Sequence, residues 1–175
     1  MQRRQFLLGT LAASAALSSG ALIWLATGDQ KPDLSISSVL ATLQEMDEQA
    51  YLTTGSWDLY QILTHCAQSI EYSISGFPEH KPEWFKDTLG VLAFTVFARK
   101  GEMYHALDEP IPGSQGIQAG GDVRQAYQRL QQTLLDFQHH DGPLHAHFAY
   151  GALSKQDYAL AHAMHFYNHL QEIQL

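Results

Sequence analysis

From Ser35 onward the apolar residues of this chain recur every three or four positions, the spacing that gathers them on one face of an α-helix. Segment 35–50 carries Ile36, Leu40, Leu43 and Met46 at that interval. Gly55-Ser56 interrupts the pattern, and Ser56 is the expected N-cap of a second helix running from Trp57 to about Ser75. Its inner face holds Leu59, Ile62, Leu63, Cys66 and Ile70, and Gly76-Phe77-Pro78 ends it with glycine at the cap and proline beyond. A third helix is expected from Glu83 to Arg99, closed by Gly101. A long polar connection follows, containing Pro110-Ile111-Pro112-Gly113 and Gly120-Gly121. Asp122 then caps a fourth helix to about Phe137, with Ala126, Leu130, Leu134 and Phe137 inside. Ser154, supported by Asp157 three residues on, caps the last helix, whose inner positions include Leu160, Met164 and Tyr167. No stretch alternates as a strand does. The expected fold is all-α.

The first thirty residues follow another logic. Arg3-Arg4 stands directly before Phe6, and the stretch from Phe6 to about Thr27 holds no charged residue. Arg-Arg-x-Phe-Leu looks like a twin-arginine export signal, although Gln2 occupies the place where Ser or Thr usually precedes the arginines. Left uncleaved, residues 6–27 are just long enough to anchor the chain in a bilayer. The expected organisation is therefore 1–30 as signal peptide or anchor and 31–175 as one helical domain. Its expected location is extracytoplasmic, with the membrane met through the N-terminal segment.

Charge and cysteine content narrow the partners. Ten Lys+Arg face 18 Asp+Glu, a formal net charge of −8, and setting aside the two leader arginines makes the remainder more acidic still. So acidic a domain argues against nucleic acid and against anionic lipid surfaces. Cys66 is the single cysteine, so no internal disulfide forms even in an oxidising compartment, and packing must supply the stability. As the residue after His65 on the same helix, it is turned by about 100° from that imidazole and reads as a small core residue.

The chemistry concentrates in histidines. His165 and His169 lie four apart in Ala163-Met164-His165-Phe166-Tyr167-Asn168-His169, so both imidazoles share one helix face. His65 stands in the apolar segment Leu59 to Cys66, near the middle of the second helix. At ~1.5 Å per residue all three reach a similar mid-bundle level whichever way the helices run. Three imidazoles converging from facing helices make a divalent-metal site with positions left for water or substrate. The zinc-protease arrangement His-Glu-x-x-His is absent, since position 166 is Phe, and no acid falls at a telling spacing from the trio. Ser69 and Tyr72 follow His65 on one face and are candidate pocket residues; His162, three before His165, is a candidate neighbour of the metal ligands. His139, His140 and His145 belong to a solvated connection, whereas Glu71 reads as a surface acid.

A histidine in the second helix with His-x-x-x-His in the last resembles the DinB/YfiT-like superfamily of metalloproteins. The blocks His65-Cys66-Ala67-Gln68-Ser69-Ile70-Glu71-Tyr72-Ser73, Gly76-Phe77-Pro78, Pro110-Ile111-Pro112-Gly113 and His147-Phe148-Ala149-Tyr150-Gly151 look like one branch of it, a domain of unknown function. The resemblance spans about Leu34 to Glu172. It implies a four-helix bundle with an extra helix in the long crossover, holding one divalent ion at His65, His165 and His169. Zinc or nickel is the implied metal, with iron or manganese as alternatives. Some relatives are transferases or isomerases that use a low-molecular-weight thiol, which makes such a thiol, with a small-molecule substrate, the implied partner. The block at His147 makes that residue a candidate for the pocket. Relatives often carry paired histidines where Asn168 precedes His169 here, so Asn168 is a candidate for supporting the ligands. A homodimer is open to such a bundle, and a non-catalytic binding or structural domain at the membrane surface is the alternative to a hydrolase, transferase or isomerase.

Overall fold

The computed structural model describes residues 33–46 and 51–174. The expected leader, including the anchor at residues 6–27, lies outside them. Helix α1 (Ile36–Met46) buries Ile36, Val39, Leu43 and Met46. Ser35 and Ser38 close its start, each backbone N–H donating to the other's hydroxyl at 3.1 Å. Helix α2 (Leu59–Ser75) begins later than expected, and its cap is Asp58 rather than Ser56. The reason is the residue three further on: Gln61 N–H donates to the Asp58 carboxylate at 2.8 Å while the Gln61 side chain accepts from Asp58 N–H at 3.0 Å. No such reciprocal pair is available to Ser56. Asp58 also accepts from Gly120 N–H at 2.6 Å, and Gln61 donates to the Ile117 carbonyl at 2.9 Å. One cap thus fastens the long connection to the start of α2. Gly76 ends the helix at a φ of 103° that few other residues adopt.

The expected third helix is present but not uniform. It consists of α3 (Glu83–Phe85), a π-helical turn (Lys86–Gly90) and α4 (Val91–Lys100), closed by Gly101 in the left-handed region. Gly90 is where the wider turn meets another part of the chain: a Cβ there would lie 2.0 Å from the Ala149 carbonyl oxygen. Helix α5 (Val123–His139) is capped by Asp122, and α6 (Lys155–Leu170) by the reciprocal Ser154–Asp157 pair, both as the sequence indicates. A two-residue antiparallel pair, β1 (Leu52–Thr53) with β2 (Ile173–Gln174), ties the entrance of α2 to the end of α6. Two residues per strand are too short to leave an alternating pattern in sequence.

The protein is mostly helical. Helix α2 packs on α5 and α6, and α1 packs on the same two. Their shared core includes Val39, Leu63, Ala67, Leu130, Leu134 and Phe166, all at most 3 % exposed. A smaller cluster, Phe94, Met103, Ala161 and Met164, joins α4 and the following loop to α6. On the surface of the α2–α5 contact Arg129 donates twice to Glu71, at 2.8 and 2.6 Å. Among the described residues no helix is long and apolar enough to cross a membrane.

Candidate metal centre

The packing of α2 against α6 brings His65, His165 and His169 together. The Nε2 atoms of His65 and His165 are 3.1 Å apart, and one nitrogen from each of the three rings lies within 4.8 Å of the others. Ring centroids are 4.9 to 5.0 Å apart pairwise. Nitrogens at ~2.0–2.1 Å from a tetrahedral ion are roughly 3.4 Å from one another, so small side-chain rotations bring the trio to ligating distance. His65 and His169 are buried, and His165 keeps partial exposure.

The donor set fits a divalent ion on two further counts. His169 is wholly buried, yet neither ring nitrogen has a hydrogen-bond partner, and His65 Nδ1 is unpartnered as well. Leaving such groups unmade costs ~1–3 kcal/mol each, a penalty that coordination removes. Burial also keeps the rings in the form a metal needs. Desolvation, then the neighbouring His105, holds His65 down at about 3; desolvation, then His65 and His105, holds His169 at about 2. His165 is likewise held well below the usual histidine range, first by burial and then by the surrounding imidazoles. Neutral imidazole is the ligating species. Trp57 walls the cluster, its ring 4.9 Å from His65 edge-on and 6.0 Å from His169 in a parallel stack. These three histidines can hold a metal ion, and no other such group occurs among the described residues.

A fourth imidazole belongs to the neighbourhood. His105 lies on the loop after α4, with its ring 4.8 Å from that of His165 and 5.1 Å from that of His169. Its Nδ1 bonds the Ala106 carbonyl at 2.7 Å. Nothing in the sequence pattern singles it out, because the connection has no periodicity from which a facing could be read. Its place next to the Pro110–Gly113 block was the only available hint.

Beside the cluster opens a cavity of about 270 Å³, reached by His65 and His165. Of the other candidates, Ser69, His147 and His162 line it, whereas Tyr72 and Asn168 are not among its walls. Tyr72 instead packs its ring against Phe77, and Asn168 is buried with its Nδ2 unpartnered. His162 lies close to its Ser73 partner (Nε2 to Oγ 3.3 Å) and against Tyr158 and Phe137, and it is not one of the three converging ligands. Lys81, His105, Glu109 and Tyr150 complete the polar lining, and none of the four was legible as a site residue. Cys66 is buried in the core with its thiol pushed up to about 12 by desolvation, which removes it as a thiolate ligand. His139 is the last residue of α5 rather than part of the connection and bonds the Leu135 carbonyl one turn back, while His140, the C-cap, bonds the Pro143 carbonyl.

The segment around His147 is built more tightly than a surface loop. His147 and Gly151 exchange backbone hydrogen bonds at 2.8 and 3.2 Å, with Gly151 at a φ of 76°. Inside that turn the backbone N–H groups of Ala149 and Tyr150 both donate to His147 Nδ1, at 3.1 and 3.2 Å. The Tyr150 ring stacks on the imidazole at 4.3 Å and 7°. Lys81 N–H donates to the Phe148 carbonyl at 2.9 Å, and the Ala149 carbonyl rests against Gly90.

A helical protein with a three-histidine cluster beside a solvent-reaching cavity is the class these features define. Residues 30–174 match the family model described as a protein of unknown function, DUF1569, and the chain belongs to that family. Neither the curated proteins nor the solved structures compared with it gave a match.

Proposed function

We propose that this protein binds one divalent metal ion through His65, His165 and His169 and uses it on a small molecule admitted by the adjoining cavity. The observation that carries the reading is His169: a fully buried imidazole with both nitrogens unpartnered, beside two further imidazoles. Zinc or nickel is the ion that the family resemblance implies, with iron or manganese as alternatives; imidazole ligands by themselves suit zinc, nickel, iron and copper alike. The arrangement is read as a DinB-like four-helix bundle formed by α1, α2, α5 and α6, with α3 and α4 in the long crossover. A bound divalent ion supplies Lewis acidity, lowering the pKa of a coordinated water or thiol.

The chain's own residues supply the rest. Trp57 and the buried helix faces keep one side of the cluster dry, while the cavity leaves His65 and His165 reachable from the other. That asymmetry favours an enzyme over a purely structural metal site, which is closed on all sides. Thiol-dependent transfer or isomerisation, or hydrolysis, is the reaction class, with a low-molecular-weight thiol as partner in the first two. Action outside the cytoplasmic membrane, after twin-arginine export, is part of the proposal and rests on Arg3-Arg4 and the uncharged stretch that follows.

Elemental analysis of the purified protein, beside His65→Ala and His169→Ala, tests the reading. One equivalent of metal in the wild type, lost from both variants, is the expected result. Metal retained by both variants overturns it.

A further inference from the structure

The turn that holds His147 fixes more than its position. Two backbone N–H groups, from Ala149 and Tyr150, point at Nδ1, so that nitrogen must present a lone pair. A proton on Nδ1 would oppose both donors; the ring is therefore neutral with its hydrogen on Nε2. Burial acts the same way, holding His147 at about 3, with smaller contributions from His162 and His80. Nε2 finds no protein acceptor among the described residues, while the ring forms part of the cavity wall. The result is an N–H donor whose direction is set by Tyr150 stacking and by the His147–Gly151 bridge. A donor held neutral and in one tautomer by two N–H groups at Nδ1 suits an acceptor oxygen better than a proton-transfer role.

One cation shares the wall. Lys81 lines the same cavity, is tied to the His147 turn through the Phe148 carbonyl, and has no ion-pair partner among the described residues. Glu109 also lines the cavity and makes no ion pair with Lys81. The same cavity is lined by apolar Met103, Ile111 and Phe148 as well as by the polar Ser69, His105, Tyr150 and His162. One ammonium, one fixed N–H and apolar side chains in the same lining match a singly charged carboxylate on a short hydrocarbon body. Lys81 is the single Lys or Arg of the lining and Glu109 adds a carboxylate to it, so a monoanion is the better charge match than a phosphate dianion.

We propose that His147 Nε2–H and Lys81 form a carboxylate-binding subsite of the cavity, and that its ligand is a small organic monocarboxylate. The proposal shares the cavity with the metal reading but does not depend on metal being bound.

The test uses the full chain, labelled with ¹⁵N-histidine and freed of metal, so a failure of the metal reading leaves it intact. Long-range ¹H–¹⁵N spectra are expected to show His147 with Nδ1 unprotonated and Nε2 protonated throughout about pH 6 to 8. Butyrate should shift the His147 Nε2 resonance saturably, and butanol should not. His147→Asn keeps an acceptor oxygen near the Nδ1 position while removing the cavity donor; it should weaken butyrate binding roughly tenfold. Lys81→Met, at an exposed position, should weaken it comparably and carries the test should the buried substitution unfold the turn. An Nδ1-protonated ring overturns the proposal, as does butyrate binding unchanged by Lys81→Met. Inorganic phosphate binding more tightly than butyrate overturns the carboxylate assignment.

Discussion

Lowering the pH of the metal-free protein from about 7.5 to 5.5 should cost it a large share of its stability, and the size of the loss follows from the buried imidazoles. Four histidines, His65, His147, His162 and His169, are held at about 3, 3, 3 and 2, with desolvation the largest cause in each. In the unfolded chain each titrates near the ordinary histidine value of 6.5. Their folded pKa values are depressed, so the unfolded state binds more protons between these limits. The stability they confer is complete above about pH 6.5 and is lost as pH falls toward their folded values. At about pH 5.5 each costs roughly 1.4 kcal/mol relative to neutral pH, and the four together roughly 6 kcal/mol. That rivals the whole stability of many domains, about 5–15 kcal/mol. The window stays above the ordinary carboxylate range, so acid groups contribute little. Urea unfolding in the presence of chelator, followed by circular dichroism at several pH values, measures the loss. A change smaller than about 1.4 kcal/mol over this window, less than one histidine's share, would refute the reasoning.

Gly90→Ala should destabilise the protein by about 1–2 kcal/mol in a thermal melt, although alanine is ordinarily the better helix former by about 1 kcal/mol. Gly90 has a helical φ of −65°, so backbone strain is not the reason; the 2.0 Å approach to the Ala149 carbonyl is, and equal or higher stability would contradict it. Asp58→Ala removes a cap that also holds Gly120, and should cost about 1–2 kcal/mol by denaturant unfolding. Asp58→Asn should recover most of it, since the amide oxygen still accepts. His105→Ala should leave metal stoichiometry unchanged by elemental analysis, because His105 lies outside the trio whose ligand atoms converge. Arg129→Ala should cost no more than about 1 kcal/mol, as its pair with Glu71 is half exposed and screened.

The helices were legible wherever a local cap and an apolar stripe agreed. Asp122, Ser154 with Asp157, Gly76 and Gly101 stand where the sequence places them, because each acts within one turn of its own helix. Ser56 misled because a hydroxyl before an apolar run looks sufficient, whereas the Asp58–Gln61 exchange satisfies two groups at once. The π-helical turn could not be read, and the close approach of its Gly90 to the Ala149 carbonyl joins residues 59 apart in sequence. The same limit governs the site. His65, His165 and His169 were legible because helical periodicity says where each points. His105, Lys81 and Glu109 lie outside any stripe, so only the folded chain shows them at the cavity. His147 was readable as a cavity candidate, but its fixed tautomer depends on N–H groups of its own turn, which no spacing rule encodes.

The most direct test of the central claim is X-ray absorption at the zinc edge of the zinc-loaded protein. Three imidazole nitrogens at about 2.0–2.1 Å, completed by a light oxygen-type scatterer and no sulfur, is the result the three-histidine site requires. A sulfur shell near 2.3 Å, or fewer than three imidazoles around the metal, would contradict it.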